Sequence, residues 1–159
     1  MEKNRILDAS YKALSALLLI LTLSSCTLPR IAVLHDPLTP EEHINLGVSY
    51  EKTGELDAAL TQYEAASRKM PVAYLYMGNI YFRKNDPGNA ERAYKRAIEK
   101  AGDARAYNNL AWLYYTRDEH LEEAERLARK AVEMSPESTD FKDTLEKIIE
   151  KRSSLRERR

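Results

Sequence analysis

Cysteine occurs once, at position 26, so no disulfide can close within one chain. Glycine is scarce as well. Its five residues form no phosphate-cradling loop, and no Gly-x-Ser-x-Gly elbow is present. The three histidines, His35, His43 and His120, are scattered, so no Cys/His cluster has metal-ligand spacing. Excess charge of one sign is also missing: 25 Lys and Arg face 25 Asp and Glu. Removing residues 1–25 takes away Lys3, Arg5 and Lys12 on one side and Glu2 and Asp8 on the other, leaving 22 against 23. A balance of that kind gives no basic face for nucleic acid. Nor is any apolar run long enough to cross a bilayer. Residues 13–23 are broken only by Ser15 and Thr22, yet as a helix they span about 16 Å, roughly half the hydrocarbon core. Ala, Glu, Lys, Arg and Leu abound instead, in a chain of 159 residues, the composition and length of a single all-α domain.

Within residues 40–136 one pattern is written three times. The first copy places His43, Leu46, Gly47 and Tyr50 at i, i+3, i+4 and i+7, then Ala59, Tyr63, Ala66 and Pro71. The second has Tyr74, Met77, Gly78 and Tyr81, then Ala90, Tyr94 and Ala97; the third has Tyr107, Leu110, Ala111 and Tyr114, then Ala124, Ala128, Ala131 and Pro136. Each copy is two helical stretches of roughly 13 residues, each with an apolar stripe, joined by a short turn. That is a helical hairpin. Gly47, Gly78 and Ala111 lie in the first helix of each pair, and Ala59, Ala90 and Ala124 early in the second. Side chains this small let two helix backbones approach more closely than the usual range of about 8–10 Å. A lone hairpin cannot bury both faces, so the copies must stack into a solenoid with a concave side. After Pro136, Phe141, Leu145, Ile148 and Ile149 fit one more helix that lacks a small residue at the Gly47-like place.

This pattern resembles the tetratricopeptide repeat, whose aromatic-x-x-Leu-Gly-x-x-Tyr, Ala-x-x-x-aromatic and terminal Pro signature recurs about every 34 residues. The resemblance implies an all-α, right-handed superhelical solenoid. Its three helical hairpins would occupy residues 40–70, 71–103 and 104–136, and a capping helix with a basic tail residues 137–159. Four departures stand out. Gly78 follows Gly47 by 31 residues, Gly102 takes the place of a proline, Ala128 replaces the aromatic, and the third turn, 117–120, carries one extra residue. Helix punctuation is strong. Thr39-Pro40-Glu41-Glu42 reads as a capping box with proline at the first helical position, Gly54 as a left-handed turn, and Pro71 as the first residue of the next helix. Asp86-Pro87 and Gly102-Asp103 mark further helix ends.

Residues 1–25 read as a leader, not as fold: a basic start, a short apolar stretch, then Leu23-Ser24-Ser25-Cys26. That tetrapeptide resembles the lipobox of bacterial lipoproteins, in which the cysteine is diacylated and the leader is cut immediately before it. The resemblance implies lipidation at Cys26 and, with Thr27 following it, transfer to an outer membrane, facing the periplasm. Each buried methylene contributes about 0.8 kcal/mol, so two or three acyl chains hold a protein where one is marginal. Residues 26–39 would then be a lipidated tether of at most about 45 Å reach. Its Ile31-Ala32-Val33-Leu34 stretch either packs on the first repeat or shields a binding surface.

No catalytic constellation emerges. His43 takes an aromatic core place, and Glu41-Glu42 and Glu122-Glu123 sit at helix starts, where acidic residues favour the macrodipole. No cofactor, metal or small-molecule substrate is expected. The candidate binding face lies one residue on from the signature positions: Ile44, Val48 and Glu51; Leu75, Asn79 and Phe82; Asn108, Trp112 and Tyr115. In the resembled family those first helices line the concave groove, and apolar and aromatic side chains with interleaved Asn suit a peptide or helix there. The competing reading is that these residues pack first helices on one another or on the cap. Ile44 and Val48 stand where the subtype that clamps chaperone tails would carry Lys and Asn. Residues 151–159 end the chain with five basic residues and one acidic, a solvated helix end or a contact for anionic headgroups or an acidic partner. Taken together, the sequence predicts a non-enzymatic protein-binding adaptor, lipid-anchored in the bacterial envelope and accessory to assembly of a pilus, secretin or other envelope complex. The alternative is an anchoring or regulatory subunit of a cell-wall or periplasmic hydrolase.

Overall fold

A computed structural model describes residues 36–158. The leader, Cys26 and the stretch 31–34 lie outside the described residues. Those described form seven helices and no strand: α1 (Pro40–Thr53), α2 (Leu56–Ser67), α3 (Ala73–Arg83), α4 (Pro87–Ala101), α5 (Ala104–Thr116), α6 (Leu121–Met134) and α7 (Thr139–Glu157). None of these helices is long and apolar enough to cross a membrane.

Local chemistry sets the helix ends. Thr39 Oγ1 accepts from the Glu42 N–H at 3.2 Å while Glu42 Oε2 accepts from the Thr39 N–H at 2.7 Å, a two-sided capping box. That backbone donor holds the Glu42 carboxyl below the usual carboxylate range. Asp86 caps α4 through the Asn89 N–H at 3.1 Å, and Asp103 caps α5 through the Arg105 N–H at 2.9 Å. At α3 the structure departs from the sequence reading. Pro71 opens a tight turn, and the helix proper begins at Ala73. There Ala73, Tyr74 and Leu75 donate to the carbonyls three residues back, so the turn satisfies N–H groups that Val72 has no side-chain oxygen to cap.

The three hairpin turns close alike. Glu55, Asp86 and Glu119 each donate an N–H to the carbonyl of a signature tyrosine, Tyr50, Tyr81 and Tyr114, at 2.9, 2.9 and 3.0 Å. The residue before each donor is left-handed: Gly54 at φ 84°, Asn85 at 55° and Asp118 at 56°. These are Schellman closures, and Asn and Asp serve where glycine is absent because they tolerate that conformation best among side-chain-bearing residues. The extra residue of the third turn is taken up by a second left-handed position, His120 at φ 48°.

Packing within each hairpin turns on the glycine. A Cβ built on Gly47 would lie 2.5 Å from Tyr63 Cε1, and one on Gly78 would lie 2.4 Å from Tyr94 Cε1. The sequence reading had small residues serving backbone approach; what occupies the space is a tyrosine ring from the second helix, lying on the bare glycine of the first. Tyr63 and Tyr94 are both buried. The third hairpin carries Ala111 and Ala128 at the matching positions, both fully buried, so a methyl group and the loss of a ring compensate each other.

Successive hairpins share helices across two apolar clusters. One gathers Ala59, Leu60, Tyr63, Ala66, Ala73, Met77, Ile80 and Ala93; the other holds Leu75 and Tyr94 with the buried residues of α5, Ala124, Leu127 and Ala128 of α6 and Ile148 of α7. Thus α3 divides its faces, Met77 and Ile80 toward the first hairpin and Leu75 toward the third. Along the stack α3 lies beside α5, and α5 beside α7. The first junction, with its 31-residue spacing, lacks that close α1–α3 pairing; there α2 packs directly on α3 through the first cluster, joined by a Tyr63–Tyr76 ring stack at 5.2 Å and an Arg83–Glu51 ion pair at 2.8 Å.

Candidate functional site

The first helices present their remaining side chains on one face, and α3 and α5 together build a recess there. Asn79, Phe82 and Arg83 come from α3, Asn109 and Trp112 from α5, and Tyr94 reaches in from α4; the recess encloses about 200 Å³. Helical spacing explains the grouping, since 79 and 82 or 83, and 109 and 112, are neighbours on one helix face. The floor is polar. Asn79 Oδ1 accepts from the Tyr94 hydroxyl at 3.1 Å and from Asn109 Nδ2 at 2.9 Å. Burial pushes the Tyr94 hydroxyl up, so it stays protonated and keeps donating. Asn108 Nδ2 lies 3.5 Å from Asn109 Oδ1, and Asn108 Oδ1 is buried without a hydrogen-bond partner among the described residues.

Walls of the recess are aromatic. Phe82 is 37% exposed and also borders a second recess of about 360 Å³ with Asn85, Pro87, Leu113, Thr116 and Arg117. Trp112 stacks on Tyr115 with ring centroids 5.0 Å apart. Helix α7 leans on this pair: Lys147 Nζ lies 5.5 Å from the Trp112 ring centroid and Lys151 Nζ 4.5 Å from that of Tyr115. Cations over these rings are attracted by the ring quadrupole.

The sequence-predicted face is therefore gathered only in part. Asn79, Phe82 and Trp112 line one recess, with Tyr115 and Asn108 beside it. Leu75 is 2% exposed and belongs to the core between α3 and α5, so it lines no open groove. Ile44 and Val48 are half-buried against the first apolar cluster. Glu51 is committed as well, accepting from the Tyr63 hydroxyl at 3.0 Å and from Arg83 at 2.8 Å. His43 is a packed residue, its ring nitrogens 2.8 Å from Gln62 Oε1 and 3.0 Å from Asp36 Oδ2. Sequence reasoning missed Arg83, Asn109, Tyr94 and the α7 lysines. For Asn109 the available signal was its place three residues before Trp112, on the same stripe; for Lys147 and Lys151 it was their i, i+4 spacing on the cap. What this arrangement offers is amide donors and acceptors at the foot of an aromatic cleft, suited to a polypeptide backbone with an apolar side chain.

A tetratricopeptide-repeat model matches residues 69–137. No curated protein sequence matches the chain. Among solved structures, the chain is similar to the first tetratricopeptide-repeat domain of Spaghetti (RPAP3) bound to an HSP90 peptide, SRMEEVD. That match has 22% identity and a TM-score of 0.67 and covers 74% of this chain and 96% of the other. A similar likeness holds for the C-terminal repeat domain of a Plasmodium falciparum FK506-binding protein, at 18% identity and TM-score 0.60, over 76% and 97% of the two chains. The Sgt2 repeat domain of Aspergillus fumigatus gives 15% identity and TM-score 0.68, over 74% and 82%. The fold is thus an all-α tetratricopeptide-repeat superhelix.

Proposed function

We propose that this protein is a non-enzymatic adaptor that holds a segment of a partner protein in the cleft between α3 and α5. The observation that carries this reading is the aromatic recess with its asparagine floor, open to solvent between Phe82 and Trp112. Amides there can pair with a peptide backbone while an apolar side chain fills the cleft, the division of labour that interfaces between folded grooves and peptides use. Acylation at Cys26 would place that cleft at a bacterial envelope membrane, on the periplasmic side of an outer membrane. Assembly of a pilus, secretin or other envelope complex is the process such an adaptor would serve. Two experiments test the two halves separately. Crosslinking from membranes with a photoreactive residue at Phe82 is expected to trap one partner polypeptide, and Trp112→Ala to remove the crosslink while the thermal midpoint changes little; unfolding without a separate binding loss would make Trp112 a core residue only. Cys26→Ala is expected to abolish acyl labelling and release the protein from membranes, and unchanged partitioning would overturn the anchor.

A further inference from the structure

Helix α7, like α1 at the other end of the stack, buries only two of its residues. Of its 19 residues only Thr144 and Ile148 are buried, and no glycine or alanine stands where Gly47, Gly78 and Ala111 receive their neighbours; Leu145 stands there instead. Charge does much of the fastening. Lys151 donates to the Tyr115 carbonyl at 3.0 Å and pairs with Asp118, and Arg152 pairs with Glu122 at 3.0 Å and with Glu125. The Arg152 side chain is only 15% exposed, and its Nε is buried with no acceptor among the described residues. A buried donor without a partner costs stability in the docked state and nothing once the helix lifts away. The same helix lays Lys147 and Lys151 over Trp112, a wall of the cleft, and over Tyr115.

We propose that α7 is a displaceable latch: it lays its lysines over Trp112 and Tyr115 in the resting protein and lifts as a unit, on the short segment after Met134, while α1 to α6 stay folded. Its pairs to Asp118 and Glu122, whose carboxylates are exposed, are those that salt weakens, and a helix with so little apolar burial opens below the global unfolding free energy. Opening exposes two stacked rings and the carboxylates of Asp118, Glu122 and Glu125, a surface that fits a basic amphipathic helix with the spacing of α7 itself. The latch does not depend on the partner proposed for the cleft, because it is read from α7 alone.

Native-state hydrogen exchange on the full chain tests it, with the single tryptophan, Trp112, as a second reporter. Amides of α7 are expected to exchange at least about tenfold faster than those of α5 and α6, the gap widening as salt rises from about 0.05 to 0.5 M. Arg152→Ala is expected to widen it further and to shift Trp112 emission to the red, with the helicity of α1 to α6 kept. A labelled peptide of residues 137–159 is the probe in trans: it is expected to bind an Arg152→Glu variant more tightly than the unaltered protein. Exchange of α7 only through global unfolding at every salt concentration would overturn the latch. So would equal peptide binding to both proteins, and if the Glu variant fails to fold, the salt series on the unaltered chain decides alone.

Discussion

The second and third hairpins solve one packing problem in two ways. In the second, Gly78 leaves a bare patch on α3 and Tyr94 of α4 lays its ring there, with the hydroxyl passing through to Asn79 on the cleft face. In the third, Ala111 and Ala128 take the matching positions, no ring crosses, and the signature tyrosine Tyr114 sends its hydroxyl to Glu91 instead, at 2.9 Å. Two consequences follow from the difference. Glycine is weak in a helix interior, by roughly 0.5–1 kcal/mol against alanine, so its presence is justified only by what it receives. And in the second hairpin the ring joins core to site, a core residue fixing a cleft amide, whereas in the third hairpin Trp112 is placed by stacking on Tyr115 and by α7.

The comparison can be broken at several points. Tyr94→Ala empties the nest and is expected to cost about 3–5 kcal/mol in chemical denaturation, as for other large aromatic truncations. Gly78→Ala comes next: despite the better helix propensity of alanine, the clash at 2.4 Å is expected to leave a net loss of about 1–2 kcal/mol. In the third hairpin Ala111→Gly removes a buried methyl and adds backbone freedom, and about 1–2 kcal/mol should be lost with no ring to compensate. Tyr94→Phe keeps the ring and deletes the bond to Asn79, for about 0.5–1.5 kcal/mol and a looser cleft amide, visible as a shifted Asn79 side-chain NMR signal. Smallest is the effect of acid. Asp86 is held below the usual carboxylate range by hydrogen bonds from the Asn89 side chain and backbone, so its capping contribution is full above the ordinary aspartate pKa and fades as pH falls through the depressed value. Helix α3, which has neither a side-chain cap nor an acidic residue in its first turn, should show no matching change; amide exchange in the first turns of α4 and α3 between pH 5 and about 2.5 compares them.

Much of this was legible in the residues. The i, i+3, i+4, i+7 spacing placed every hairpin, Thr39 and Glu42 gave the capping box, and Gly54 gave the left-handed turn. Period and punctuation are local properties, so a linear reading recovers them. What a given side chain meets across a helix pair is not local. Leu75 sits one residue from a signature position, as Trp112 sits one residue from Ala111, yet Leu75 turns into the core because α5 packs against that side of α3. Pro71 looked like a helix start, and the tight turn before Ala73 follows from the shortened spacing of the first junction. The role of glycine was half visible: its smallness was plain, and that a ring fills the space required the partner helix.

The most direct test of the ring-on-glycine nest is a double-mutant cycle on Gly78 and Tyr94, measured by denaturant unfolding. If the nest is what the glycine is for, Gly78→Ala destabilises the unaltered protein and becomes neutral or stabilising once Tyr94 is alanine, a coupling of about 1–3 kcal/mol that rebuilds the Ala–Ala pair of the third hairpin. The same loss in both backgrounds would contradict it.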